Sequence, residues 1–493
     1  MDARQAIWYN PPFRRRRERI FYRRFCKVLR ALQAMCVNEN GAQSRCLASP
    51  EASPQAGSVG AAVSPPRPRR LGLKKNFGWA FAGNAVYQAC QWLVLVVLAK
   101  LLTATDVGLF ALALAICTPI MTFSGLNLRA VQVTDAREEH RFGHFLSLQL
   151  FNAALALVVI AGIVLVSGYG VQTACLIIAV GLGQAVVLVR DVFIAFSQKH
   201  ERMDAVGVSK AVLGVASISA LSLTVWLTRN LLAGVVAMQA AKLLVFLGWD
   251  LRATGRLVAA YVNEPVASYL RPIWQPRIML SLAWLALPLG LTTVLVAVYN
   301  NLPRYFIAAF LDEERLGYFA AIMALAMAGT MVTTAAGMSA LPRLSRYAVE
   351  NRTAYFRLLF QLVLFGAGFG LLGLLVVALA GEPLLRIIFT ADYADHSDLF
   401  MWSMVFAAVT YAVTFLGYGL TALRRFRLQV LPYGAALAVS AVAAWLLIPA
   451  HGIVAGAWCL ILGKVAQASL TVLLIGLCVP QAEDRPSAVP EEI

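Results

Sequence analysis

Charge is scarce in this chain. Asp, Glu, Lys and Arg make up 14% of its 493 residues, against about 25% in soluble domains. Acidic residues are the scarcer kind, 25 against 42 basic ones, and none lies deep in a long apolar run. That removes the buried carboxylate through which membrane carriers relay protons. The eight cysteines show neither CxxC nor Cys/His spacing, so no zinc site and no disulfide framework are expected. Cys90, Cys117, Cys175 and Cys459 fall in apolar runs as small core residues. His140 and His144 are four apart beside Glu138 and Glu139, but HExxH is missing and they read as a surface pair. No P-loop, nucleophile elbow or dinucleotide fingerprint occurs, so no ATP hydrolysis and no cofactor are expected.

Apolar residues, by contrast, make up 60% of the chain, and the mean hydropathy is +0.71. Ala85–Ala99, Gly108–Leu128 and Val206–Leu227 are apolar runs that suit bilayer-spanning helices of about 20 residues. The chain is a polytopic, all-α membrane protein. Its net charge of +17 would suggest nucleic acid in a soluble domain. Here it sits in one tail and in alternate loops, as membrane topology requires, and no nucleic acid is implied.

Residues 1–76 form a basic tail and linker. Arg14, Arg15, Arg16, Arg17, Arg19, Arg23, Arg24, Lys27 and Arg30 interleave with Ile20, Phe21, Phe25, Val28, Leu29 and Leu32 at roughly helical spacing. Either this is an amphipathic helix on anionic lipid, or a solvated tail, or a natural start lies near Leu71. Ala48–Arg70 is rich in Pro, Ala and Ser and suits a flexible linker. Twelve spans follow, at about 77–99, 108–126, 145–167, 171–195, 206–227, 231–249, 280–301, 316–340, 357–379, 398–422, 431–448 and 453–478. They divide into lobes over 77–249 and 280–478, an interlobe segment over 250–279 and a tail over 479–493. With the N-terminus in the cytoplasm, 35 of the 42 Lys and Arg fall inside and five outside, Arg304 among the latter. This asymmetry sets the orientation and returns the C-terminus to the cytoplasm.

The halves repeat each other. Val97–Ala115 and Phe306–Ala324 align without gaps, placing Gly108 on Gly317, Phe110 on Phe319 and Leu102 on Leu311. Six spans followed by six in the same orientation form a parallel pseudo-two-fold repeat, as in carriers that rock two bundles about a midplane site.

Ionisable residues inside a bilayer point to function. Lys242 and Lys464 each lie 11 residues into the last span of their lobe, about 16 Å down at 1.5 Å per residue. Two cations at matching depth can neutralise a diphosphate. Asn84, Gln88 and Gln91 stripe one face of the first span, Asn300, Asn301 and Arg304 end the seventh, and Pro288 can kink it. Gln239 and Gln467 sit one turn from the two lysines. Such amides either bond between helices or meet sugar hydroxyls in a wet cavity. Arg190 and Asp191 suggest a structural or gating ion pair, and Arg129 stands at the cavity entrance or anchors a lipid headgroup.

GLFALALA at Gly108, LGYFAAIMALA at Leu316, SALPRLSRYAVEN at Ser339, LLRIIFTADY at Leu384 and GLTALRRFR at Gly419 together resemble the polysaccharide flippases of the multidrug/oligosaccharidyl-lipid/polysaccharide exporter superfamily. Thr390 stands where glycine is commoner there, and the long basic tail is unusual. The resemblance implies a V-shaped pair of six-helix lobes in a bacterial inner membrane. It implies alternating access that moves an undecaprenyl-diphosphate-linked oligosaccharide between leaflets through a cationic cavity, and work beside a polysaccharide polymerase and glycosyltransferases. A drug–cation antiporter is the alternative within the superfamily. A membrane-embedded polymerase or glycosyltransferase, using the acidic loops at Asp312–Glu314 or Asp392–Asp398, is the alternative outside it.

Overall fold

The computed structural model describes residues 73–478 apart from 136–138, 263, 424 and 425. The basic tail and the last residues lie outside that range. Every regular element among the described residues is a helix, because lipid leaves a spanning backbone no other partner for its N–H and C=O groups. Eleven helices are long and apolar enough to cross a membrane, and one bent pair makes a twelfth span.

The N-terminal lobe contains α1 (Leu73–Leu101), α2 (Ala104–Gly125), the short α3 (Leu128–Thr134), α4 (Phe142–Val166), α5 (Val171–Lys199), α6 (Met203–Thr228) and α7 (Leu231–Val245). A π-turn at Phe246–Asp250 carries α7 into α8 (Leu251–Tyr261), and α9 (Val266–Tyr269) follows. The C-terminal lobe contains α10 (Pro276–Phe310), α11 (Glu313–Ala326) running on through a 3-10 turn into α12 (Thr330–Glu350), α13 (Arg352–Ile388), α14 (Ala391–Ala394), α15 (Ser397–Ala422), α16 (Val430–His451) and α17 (Val454–Cys478).

The repeat is visible in atomic detail. Thr103 caps α2 by accepting from the Asp106 N–H, and Asp312, its counterpart, caps α11 by accepting from the Arg315 N–H at 2.7 Å. Gly108 and Gly317 face each other across the lobe boundary. A Cβ on either would strike the first turn of the opposite helix (at Glu313 or Ala104) and would stand 3.0 Å from the other glycine's nitrogen. The reciprocity is that of a self-complementary two-fold contact. Only glycine permits so close a helix approach.

Packing differs at the two faces. At the face with the α1–α2 and α10–α11 turns, one apolar cluster joins Leu98, Val107 and Phe110 to Leu316, Phe319 and Leu385. Lys100 donates to the Ile387 carbonyl at 2.9 Å across the same boundary. At the opposite face the core is split. One cluster holds Leu126, Phe142, Phe193 and Val258, and a separate one holds Leu344, Tyr355, Leu359 and Leu474. The lobes are therefore sealed at one face and part towards the other.

Helix α10 belongs to both lobes. It bends by 56° between Pro276–Leu287 and Gly290–Phe310, where Pro288 lacks the N–H that a continuous helix needs. Leu282 and Ala286 are buried in the N-terminal lobe's cluster, while Tyr299 and Ile307, beyond the bend, join the core shared with the C-terminal lobe. Helix α10 also runs to Phe310, so Arg304, expected in a loop, is inside a helix.

Candidate functional site

A cavity of about 510 Å³ lies mainly within the N-terminal lobe, inside the size range of ligand sites. Its walls come from α1, α2, α3, α4, α5 and α7, with Thr293 of α10 just past the bend. Lys242 is one of the two cations on its wall, with Arg129. The Lys242 side chain is 7% exposed and lines the cavity, yet no hydrogen bond or ion pair meets its ammonium among the described residues. Gln239, one turn earlier, lines the same wall, and its buried Oε1 has no hydrogen-bond partner among the described residues. Gly183 of α5 makes room for it, since a Cβ there would overlap the Gln239 amide.

Amides and hydroxyls continue the lining. Gln91 Nε2 donates to the Tyr87 hydroxyl at 3.0 Å, and Gln184 Nε2 donates to Thr118 Oγ1 at 3.3 Å. Gln149 lines the wall from α4. At the end nearer the split face, Arg129 Nε donates to Gln198 Oε1 at 2.9 Å, and its guanidinium stands 3.7 Å from Asp191. The Asp191 side chain is 43% exposed and opens into the cavity. The arrangement offers one unpaired cation, one loosely paired cation and several neutral donors and acceptors. It suits a ligand with an anionic group and hydroxyls.

Other residues singled out by sequence lie elsewhere. Lys464 is not among the cavity-lining residues. Its Nζ donates to Gln467 Oε1 at 2.8 Å and sits 5.2 Å above the Tyr299 ring, within the C-terminal lobe. Asn84 accepts from Lys210 Nζ at 2.9 Å, while Gln88 and Asn300 are exposed. Asn301 donates to the Ala297 carbonyl at 2.8 Å and accepts from Arg304 at 2.9 Å.

The suggested pairing of Arg190 with Asp191 is corrected. Arg190 Nε instead donates to Asp250 Oδ2 at 2.5 Å, and Ser209 bridges the guanidinium to the other carboxylate oxygen. Asp191 projects from the next position along the helix, about 100° round at 3.6 residues per turn, and so faces Arg129. Sequence reasoning passed over Gln149, Gln184, Thr118 and Lys210. The signal for Gln149 and Gln184 was present, since each is an amide in an apolar span like those on α1.

Residues 73–348, more than half of the chain, match the family described as "Polysaccharide biosynthesis protein". The chain belongs to that family. It is similar to the capsular polysaccharide biosynthesis protein CapF of Staphylococcus aureus, 24% identical over 355 residues that cover 69% of this chain and 86% of the relative. In fold it is similar to the lipid II flippase MurJ in an inward closed conformation, with a TM-score of 0.62 at 9% identity, covering 79% of this chain and 86% of that one. It is also similar to a mutant of the Vibrio cholerae MATE transporter VcmN, with a TM-score of 0.56 at 13% identity, covering 82% of this chain and 95% of that one. At such identities the structural likeness speaks for fold alone: this is a multi-pass membrane protein with the fold that these two transporters share.

Proposed function

We propose that this member of the family is a secondary transporter that flips an undecaprenyl-diphosphate-linked oligosaccharide across a bacterial inner membrane. The observation that carries the reading is the Lys242 ammonium, held on a cavity wall with no counter-ion among the described residues. A buried cation without a partner is expensive, and a diphosphate entering the cavity would supply what it lacks. The amides of Gln91, Gln184 and Gln239 and the Tyr87 hydroxyl then meet sugar hydroxyls. Arg129 meets the headgroup first on its way from the split face, where Asp191 holds the guanidinium ready. The Lys and Arg asymmetry supports a cytoplasmic side for that face and for both termini. Alternating access would part the Gly108–Gly317 seal while the other ends close.

The site so read is centred on the N-terminal lobe. Lys464, already engaged by Gln467 and Tyr299, acts mainly in packing its own lobe. In proteoliposomes holding a fluorescent lipid-linked oligosaccharide, Lys242→Met is expected to cut the flipping rate by at least about tenfold, a loss of about 1.4 kcal/mol. Lys242→Arg should retain most of it, and Lys464→Met should change it far less. Equal flipping by Lys242→Met and the wild type would overturn the assignment.

A further inference from the structure

A second, almost wholly apolar recess of about 450 Å³ lies between α2, α4 and α10. Phe123, Leu155 and Val159 on its rim are 41%, 51% and 43% exposed, and all three are in membrane spans, so the recess opens to lipid. It shares a partition with the polar cavity. At the end of α2, Thr122 and Gly125 line the first cavity while Phe123, Ser124 and the following Leu126 line the apolar recess. On α10, Thr293 faces the first and Val294 the second.

The partition is weak where the two compartments adjoin. Helix α2 stops at Gly125, and Leu126 and Asn127 take left-handed conformations with φ of 47° and 51°. Helix α10 is bent at the same level, and a Cβ on Gly290 would stand 2.9 Å from Leu126 Cδ2. Asn152, nearly buried in the recess wall, donates to the Ser124 carbonyl at 2.8 Å. That bond supports one of the carbonyls freed where α2 ends. Another apolar groove, about 500 Å³ beside Val439, Val442 and Leu446, shares no lining residue with the polar cavity.

We propose that the α2–α4–α10 recess binds the polyprenyl tail of the same molecule whose diphosphate-sugar head enters the polar cavity. The inference rests on the flippase reading above and adds a tail site to it. One compartment carrying charged and amide side chains on a largely apolar wall, and one almost wholly apolar, divided where α2 ends and α10 bends, match an amphiphile that must cross the partition without leaving the bilayer. An unattached phospholipid acyl chain would need the recess but not the cavity behind it.

The test uses the full chain in nanodiscs and two probes: a long-chain polyprenyl diphosphate sugar and its counterpart with a methyl group in place of the polyprenyl chain. Leu155→Trp with Val159→Trp fills the recess from its lipid-facing rim. Val442→Trp with Leu446→Trp fills the unrelated groove. The recess variant should bind the long-chain probe about tenfold more weakly, as expected when about two methylenes lose their contact. It should bind the methyl probe as the wild type does, and the control variant should bind both normally. A photoreactive benzoylphenylalanine at position 155 should crosslink to the long-chain probe, and excess unlabelled polyprenyl diphosphate should suppress it while phospholipid does not.

Unchanged long-chain binding by the recess variant would overturn the tail site and leave the flippase reading standing. Equal loss of both probes, or crosslinking that phospholipid suppresses equally, would also overturn the tail site. Failure of the wild type to bind either probe would overturn the flippase reading and the tail site together.

Discussion

Arg190, Ser209 and Asp250 bind α5, α6 and the π-turn after α7 into one unit. Arg190 and Asp250 side chains are 4% and 2% exposed, so removing one partner strands a charge in a medium that cannot solvate it. Asp250→Leu is expected to destabilise the protein by about 3–5 kcal/mol, read as a lower thermal unfolding midpoint in detergent. Adding Arg190→Met should recover much of that loss, because the stranded guanidinium is then gone. His396, between spans, offers a pH handle. Burial against the Tyr318 ring, with centroids 4.3 Å apart, lowers its pKa, and Asp395 and Glu314 oppose the shift. The unfolded chain, with a histidine pKa of about 6.5, then binds more protons, so stability falls as pH drops below about 6.5. Thermal unfolding of His396→Gln should lose that part of the slope between neutral pH and pH 5. At this scale the sequence was half legible. Lys242 stood out because a charge deep in an apolar span is rare, and its depth followed from counting residues. The partner of Arg190 did not, because Asp250 is sixty residues away and only packing brings it near.

Among elements, α10 carries the most consequence. Composition identified the spans because twenty apolar residues can satisfy their backbone in lipid only as a helix. Ends were less legible. Helix α10 continues through Arg304 to Phe310; Arg304 bonds to Asn301 within the helix and Tyr305 reaches the Ala115 carbonyl of α2, contacts that local hydropathy does not report. Pro288 indicated the bend, but not that the two halves would be buried in different cores. Gly290 packs against the break in α2. Gly290→Leu is expected to force the two broken helices apart at about 1–3 kcal/mol. Flipping should fall more steeply than the unfolding midpoint in the same preparation. Equal midpoints and equal flipping rates would show that the contact is dispensable.

For the whole molecule, the repeat was legible as the alignment of Gly108 with Gly317. Their mutual contact was not, since an alignment reports equivalence and not proximity. The seal they make is backbone against backbone. Gly317→Leu is expected to wedge it open, costing about 3 kcal/mol or more. In a cysteine-accessibility assay, a thiol introduced at Ala104 should become labelled faster from the sealed face. Which way a span turns is likewise a property of the assembled lobes. Lys242 and Lys464 share depth and counterpart helices, yet one lines a cavity and the other rests on Tyr299.

The double allegiance of α10 makes the two lobes unequal tenants of one chain. Severing the chain at the α8–α9 connection would leave the first fragment missing the strip of core that residues 276–287 supply, while the second would carry that strip with nothing to rest on. Each fragment alone would bare an apolar scar. Co-synthesised, the two have a built-in reason to find each other, which makes this connection the natural place to split the protein without unmaking it.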